Sequence, residues 1–185
     1  MDIEVIDNFL PKESFLYLKQ MIIDNPRFPW FLSTGVSTNE DDPESVRISD
    51  TVRNELWNTF HYHLVYNQNL QCTPINGLCD DIMQIFGDRL NSVREIKSLI
   101  RIKVNSYSYT PTVMEHGPHI DIDIPCVAAL YSLNTCNGYT KFKDGTKVDS
   151  VENRIVFFDA SEYHQSTTTS NQKFRFNINF NYLNK

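Results

Sequence analysis

The spacing of apolar residues changes character about halfway along the chain. In the first half they recur at helical intervals or in short isolated runs. Ile3-Glu4-Val5-Ile6 reads as an opening strand. Pro11 suits the first turn of a helix, and Phe15, Leu18 and Ile22 follow at helical spacing to about Ile23. Pro26 and Pro29 break the chain, Phe28 to Val36 is expected to be extended, and Asn39 to Glu44 is a solvated acidic loop. Asp50 to Asn58 reads as a short helix or turn, and Phe60 to Tyr66 as a strand. Thr73 is placed as an N-cap with Pro74 at the first helical position, after which Leu78, Ile82, Ile85 and Phe86 mark one face of a second helix.

From Ser98 onward the period shortens to two. Ile100, Ile102 and Val104 alternate with Arg101, Lys103, Asn105 and Tyr107, so those polar residues share one face of a strand and Tyr109 continues it. Val127 to Leu133 reads as a nearly continuous apolar strand. Asn137-Gly138 and Asp144-Gly145 are hairpin signals, and Ile155-Val156-Phe157-Phe158 is a buried strand. In the last strand, Lys173 to Tyr182, one face carries Phe174, Phe176, Ile178 and Phe180, the other Arg175, Asn177, Asn179 and Asn181. Helices followed by about eight short strands predict a mainly β protein, a double-stranded β-helix or cupin-like jelly roll. The N-terminal helices should rest on the outer face of its major sheet. A chain of 185 residues fits a single domain, with support over about 1–97 and the jelly-roll core over about 98–185.

Composition narrows the functional classes. Lys and Arg number 17 against 23 Asp and Glu, a net charge of −6, which argues against a dedicated phosphate-backbone binder. No apolar run approaches a membrane span, and the acidic start Met1-Asp2-Ile3-Glu4 lacks the pattern of a signal peptide. Cys72, Cys79, Cys126 and Cys136 show no zinc spacing and are expected to be reduced thiols in the cytoplasm.

The candidate chemistry lies in His116-Gly117-Pro118-His119-Ile120-Asp121-Ile122-Asp123. On a strand, His119 and Asp121 project to the same side, offering one nitrogen and one oxygen ligand together. That is two-thirds of the 2-His-1-carboxylate triad of non-haem Fe(II) proteins, and His164 is the one histidine left downstream to complete it. His116, three residues before His119, faces the opposite way and should line the entrance or be exposed. Asp123 has the inward parity one pleat beyond, suited to a structural or substrate contact. His61 and His63 form a same-face pair with no carboxylate at ligand spacing and read as strand surface or sheet edge; Trp30 and Trp57 read as core or pocket wall.

The ordered series (H-x-D, strand, Gly-containing hairpin, buried strand, His164, inward Arg) resembles the Fe(II)/2-oxoglutarate-dependent dioxygenases, in particular the short prolyl-4-hydroxylase-like members of bacteria and phages. Val5-Ile6-Asp7-Asn8-Phe9-Leu10-Pro11 resembles their opening. Asn137-Gly138-Tyr139-Thr140-Lys141-Phe142 resembles their G-G-x-T-x-F hairpin with Asn for the first Gly, and Asn153 to Asp159 their strand before the distal histidine. The resemblance implies His119, Asp121 and His164 as iron ligands, with 2-oxoglutarate as cosubstrate, O₂ as oxidant and ascorbate as an accessory. It implies Arg175, eleven residues past His164, as partner of the distal carboxylate of 2-oxoglutarate, with Lys173 as competitor. Asn105, Tyr107, Tyr109 and Asn177 would line the cosubstrate, while Tyr131 is out of register with the family's corresponding tyrosine because of Ser132.

The reaction implied is hydroxylation of a C–H bond with succinate and CO₂ as coproducts, and a peptidyl proline is the substrate the resemblance favours. A peptide across the barrel mouth could be held by aromatic residues such as Tyr109 or Trp30. An AlkB-like nucleic-acid demethylase is the alternative: Asn105-x-Tyr107 and Arg175-x-Asn177 echo that branch, but Asn181 stands where its second arginine is expected. A non-catalytic cupin-type binding module is the other. The expected setting is the cytoplasm of a bacterial or phage-infected cell.

Overall fold

A computed structural model describes residues 2–36 and 55–185. The acidic loop at 39–44, and positions 50–54 of the expected helix or turn, lie outside the described residues; Leu56 and Trp57 form a turn.

Eleven strands and two helices are described. The strands are β1 (Glu4–Ile6), β2 (Phe31–Ser33), β3 (Phe60–Asn67), β4 (Leu70–Gln71), β5 (Ile96–Ser108), β6 (Val127–Ser132), β7 (Tyr139–Phe142), β8 (Lys147–Asp149), β9 (Arg154–Asp159), β10 (His164–Gln165) and β11 (Phe174–Asn184). The helices are α1 (Lys12–Ile22) and α2 (Leu78–Val93). The major sheet has the order β1-β9-β6-β11-β5-β3-β2, with β4 paired to β3, and the minor sheet the order β10-β7-β8. Bridges Glu115↔Thr167 and His119↔His164 lay the segment 115–119 along the free side of β10. With it the roll has four major-sheet strands (β5, β11, β6, β9) facing four minor-sheet segments, the double-stranded β-helix read from the alternation.

Two apolar layers flank the major sheet. Outside it, Phe15, Leu18 and Ile22 of α1 and Leu78, Ile82, Phe86 and Leu90 of α2 pack on Val104, Phe157, Ile178 and Phe180. Phe86, Phe157 and Phe180 are wholly buried, each contributing about 1.5–3 kcal/mol of apolar burial. Inside, Ala128, Leu130, Phe142, Val156 and Phe158 form a second apolar cluster, which meets the polar residues at Leu130 and Phe158. The side chains of β6 are buried throughout because both of its faces are covered.

Three local elements differ from the sequence reading. Helix α2 begins at Leu78, with Gly77 at the N-cap in the left-handed region (φ 78°), and not at Thr73-Pro74. The Thr73 hydroxyl instead accepts from the Ile75 amide at 3.1 Å and pairs with His63 Nε2 at 2.7 Å, closing a turn before the helix. Asp144-Gly145 is the expected tight turn, Gly145 having φ 88°. Asn137-Gly138, by contrast, does not close a hairpin, because it lies where the chain crosses from β6 in one sheet to β7 in the other. Its glycine answers to close approach: a Cβ there would lie 2.6 Å from the Thr168 carbonyl oxygen and 2.8 Å from Cδ of Arg175. Gly138→Ala is therefore expected to destabilise the protein by about 1–3 kcal/mol, since backbone must move to admit the methyl. A thermal melt unchanged from wild type would show that this crossover is looser than the packing indicates.

The third departure is the H-x-D segment. His119 makes one two-way backbone bridge with His164, at 2.9 Å in each direction, and the chain then bends. Pro118 and Pro125 cannot donate to a ladder, and the amides of Asp121 and Ile122 both turn to the Ala160 carbonyl. The alternation across Ile120, Ile122 and Ile124 is thus not that of a strand; Ile124 is 48% exposed, and Asp123 points to solvent outside the cavity. Among the described residues no helix is long and apolar enough to cross a membrane.

Candidate metal centre

The bend nevertheless brings His119 and Asp121 to one side, where His164 meets them from β10. One ligand-type atom from each of the three lies within 4.8 Å of the others, and the imidazole centroids are 4.5 Å apart. Nδ1 of His119 lies 3.3 Å from the Gly117 carbonyl and Nδ1 of His164 lies 3.0 Å from that of Glu162. A carbonyl only accepts, so Nδ1 carries a proton in both rings and Nε2 is the nitrogen left to ligate. Burial, then the neighbouring His164, pushes the His119 imidazolium down to about 3, so that ring is neutral at physiological pH, the ligating form. Burial alone would raise the Asp121 carboxyl; His164, Arg101 and His119 together with the Asn179 hydrogen bond outweigh it and hold the group well below the usual carboxylate range. Two imidazoles, each with Nε2 left to ligate, and one ionised carboxylate on an inward face fit a divalent iron-type ion.

Asp121 is held at both oxygens. Arg101 Nη2 donates to Oδ1 at 3.0 Å, while Asn179 Nδ2 donates to Oδ2 at 2.8 Å and Asn181 Nδ2 to the same oxygen at 3.4 Å. Arg101 is braced in turn by Nε to Asn181 Oδ1 at 2.9 Å. Parity predicts that Arg101 and Asn179 face inward, but not that they grip Asp121, which lies on a bent segment far away in sequence. Arg101→Met or Asn179→Ala should weaken metal binding by about 10- to 100-fold, the usual loss when an outer partner of a ligand is removed. Calorimetric titration with a divalent ion is the check; wild-type affinity in both variants would show that the Asp121 carboxylate needs neither.

Arg175 projects from β11 into the same cavity, which has a volume of about 120 Å³. Its guanidinium is 1% exposed, donating from Nη1 to the Thr167 carbonyl at 3.3 Å and from Nη2 to the Thr140 hydroxyl at 2.9 Å, while Nε has no partner. No carboxylate pairs with it among the described residues. A buried guanidinium without an anion is costly, so the fit is to an anionic ligand entering the cavity. Lys173, the competitor, is exposed. Tyr107 also faces in, with its ring 5.7 Å from that of Phe60 and 5.5 Å from the Arg175 guanidinium. Burial raises its phenol pKa, against Arg175 and hydrogen bonds with Ser166 and Asn177. Asn105 and Asn177 line the cavity and bond to each other at 2.9 Å.

Other expected residues fall elsewhere. Tyr109 is 53% exposed, because past Ser108 its backbone follows Thr169 and Lys173 out of the sheet. Trp30 packs on Phe28 and Phe176 over the outer face of the sheet and so cannot hold a ligand at the mouth. It lines a larger apolar groove there, about 730 Å³, which contains no His–carboxylate cluster among the described residues. His116 is fully buried, not exposed or at an entrance: Ser166 Oγ lies 3.0 Å from its Nδ1, and Trp57 and Tyr107 cover its ring. His63 is also buried, between the Pro29 carbonyl and Thr73, not on a strand surface. Tyr131 lies in the outer core with its hydroxyl on Asn153 Oδ1 at 2.8 Å. The cysteines are unpaired.

No protein-family model and no curated protein sequence matches this chain. Solved structures do. A viral collagen prolyl hydroxylase from Paramecium bursaria Chlorella virus-1, in complex with 2-oxoglutarate, is 14% identical with a TM-score of 0.58, the match covering 98% of this chain and 96% of the other. A prolyl hydroxylase from Trichoplax adhaerens, in complex with a peptide fragment of the hypoxia-inducible factor oxygen degradation domain, is 17% identical with a TM-score of 0.56, covering 98% and 83%. The 2-oxoglutarate-dependent epimerase SnoN of nogalamycin biosynthesis is 12% identical with a TM-score of 0.65, covering 98% and 78%. The chain thus has the jelly-roll fold of the 2-oxoglutarate-Fe(II) oxygenases, prolyl hydroxylases among them, with a His–Asp–His cluster on its inner face.

Proposed function

We propose that this protein is an Fe(II)- and 2-oxoglutarate-dependent dioxygenase that hydroxylates a C–H bond, its substrate a prolyl residue in a peptide or protein. The observation that carries the reading is the pairing, in one cavity, of the His119–Asp121–His164 cluster with the anion-free guanidinium of Arg175. His119 and His164 would hold iron through Nε2 and Asp121 through a carboxylate oxygen, and Arg175 would hold the distal carboxylate of 2-oxoglutarate. When bound, iron and 2-oxoglutarate supply the activation of O₂ and the oxidation of the substrate carbon, with succinate and CO₂ released.

The chain's own part is placement. Arg101 and Asn179 fix the Asp121 carboxylate, and Thr140 and the Thr167 carbonyl fix the Arg175 fork. Tyr107 and Asn177 wall the space between, and Phe60, Leu130 and Val36 make part of the lining apolar. No side-chain acid or base is needed for the oxidation.

Because the same fold also carries an epimerase, the prolyl assignment rests on different support. Prolyl hydroxylases recur among the structural neighbours, one of them holding a peptide. In addition, Arg101, Lys103 and Arg175 face the cavity and do not form the surface stripe a nucleic-acid backbone requires. Anaerobic titration with Fe(II) and then 2-oxoglutarate, followed by a search for one-oxygen mass gains in proline-containing peptides, is the test. Salt-sensitive oligonucleotide binding with demethylation would replace the prolyl reading.

A further inference from the structure

The charges around the cavity do not cancel. Three cations face it, Arg101, Lys103 and Arg175, and Asp121 is the one acidic side chain among its described lining residues. Arg101 is committed to Asp121 at 3.0 Å. Arg175 lies at the buried end, where the proposed function gives it the distal carboxylate of 2-oxoglutarate, and a metal held by His119, Asp121 and His164 would take the other end of that molecule. Lys103 is left over. Its ammonium lies 4.8 Å from the ring centroid of Phe60 and 5.4 Å from that of Tyr62, and no carboxylate approaches it within salt-bridge distance among the described residues.

Two ring faces hold a cation in place without neutralising it. They also keep it partly dehydrated, which strengthens its attraction for an incoming anion over that of a solvated surface lysine. Lys103 differs from Arg175 in position: it is only partly buried, and it sits on the β3 side of the cavity, where Phe60 lines the wall and Tyr62 flanks the ammonium. A single ammonium flanked by aromatic rings suits one carboxylate, not a run of phosphates.

We propose that Lys103 is an anion-binding position for the prime substrate, selecting peptides that carry an Asp or Glu carboxylate beside the oxidised residue. This deepens the dioxygenase reading and rests on it for the identity of the anion at Arg175. A carboxylate could also come from the cosubstrate, and the experiment separates the two sources.

The probes are blocked tripeptides, acetyl-Asp-Pro-Asp-amide against acetyl-Asn-Pro-Asn-amide, with a matching pair centred on Ala. End-blocking leaves the side chains as the only charges. Calorimetry is run on the metal-free protein and on protein loaded with Mn(II) and 2-oxoglutarate under nitrogen. Wild type should bind the acidic member of a pair at least about tenfold more tightly, a typical margin for one charge-assisted contact. Lys103→Met should lose that preference, Lys103→Arg keep it and Lys103→Glu reverse it, while the dissociation constant of 2-oxoglutarate in Lys103→Met moves by less than about threefold.

Equal binding of the acidic and amide peptides by wild type in both forms, including no binding of either, overturns the proposal. So does a tenfold or larger loss of 2-oxoglutarate affinity in Lys103→Met, because the lysine would then serve the cosubstrate. If Mn(II) and 2-oxoglutarate do not bind, the dioxygenase reading fails by itself, and the peptide comparison on metal-free protein still decides the role of Lys103. Should Lys103→Met fail to fold, Lys103→Arg and Lys103→Glu give opposite expected preferences and carry the test.

Discussion

Replacing His164 with alanine is expected to abolish Fe(II) binding and iron-dependent turnover of 2-oxoglutarate while leaving the protein folded. The imidazole is 6% exposed, between the rings of His119 and Phe158, and its Nδ1 is fixed by the Glu162 carbonyl, so its Nε2 is aimed before any ion arrives. The loss should exceed the roughly 10- to 100-fold attached to outer partners, because a ligand and not its support is removed. The fold should survive because the bridge between residues 119 and 164 is made by backbone and the main core lies across the major sheet. His119→Ala should behave alike, and His61→Ala, on the outer face away from the cavity, should retain most activity. Anaerobic Fe(II) calorimetry alongside circular dichroism separates the possibilities. A folded His164→Ala protein that binds Fe(II) like wild type removes His164 from the metal centre.

Arg175→Ala should separate cosubstrate binding from metal binding. Losing a buried charge-assisted pair costs about 2–4 kcal/mol, which corresponds to a rise in the 2-oxoglutarate requirement of about 30- to 1000-fold. Fe(II) affinity measured without 2-oxoglutarate should change little, since no ligand atom bonds to the guanidinium. Arg175→Lys should recover only part of the loss, because an ammonium cannot offer two parallel donors. Lys173→Ala is the control, its side chain being exposed just before the same strand. If Lys173→Ala raised the requirement and Arg175→Ala did not, the anion would lie outside the roll.

How much of this was legible in the sequence depends on whether a residue's surroundings are local. The alternation of β11 directs Arg175 and Asn177 inward and Phe176 and Phe180 outward, and that of β5 directs Arg101, Lys103 and Tyr107 inward. Strand pairing preserves parity, so these directions survive folding. Parity fails at the H-x-D segment because Pro118 and Pro125 deny it a ladder; the two side chains converge through a bend instead. Tyr109 fails likewise, one residue past the end of β5. The burial of His116 was not legible, since it is created by Trp57 and Ser166, each about fifty or more positions away. The grip of Arg101 and Asn179 on Asp121 joins three separate segments and has no local signature. Gly138 is the reverse case: the glycine is plain in the sequence, but its reason, the nearness of the Thr168 carbonyl and Arg175, belongs to the packed molecule.

The two-way bridge between His119 and His164 separates ligand geometry from the length of chain between the ligands. The spacing of the imidazoles is fixed by neighbouring backbones, not by the intervening loop. The turn at Asp144-Gly145 is exposed and touches neither histidine, so extra residues spliced in there would lengthen the path from one ligand to the other without moving either. In lineages that share this architecture, the interval between the two histidines is therefore free to drift, while the few residues on each side of the bridge are not.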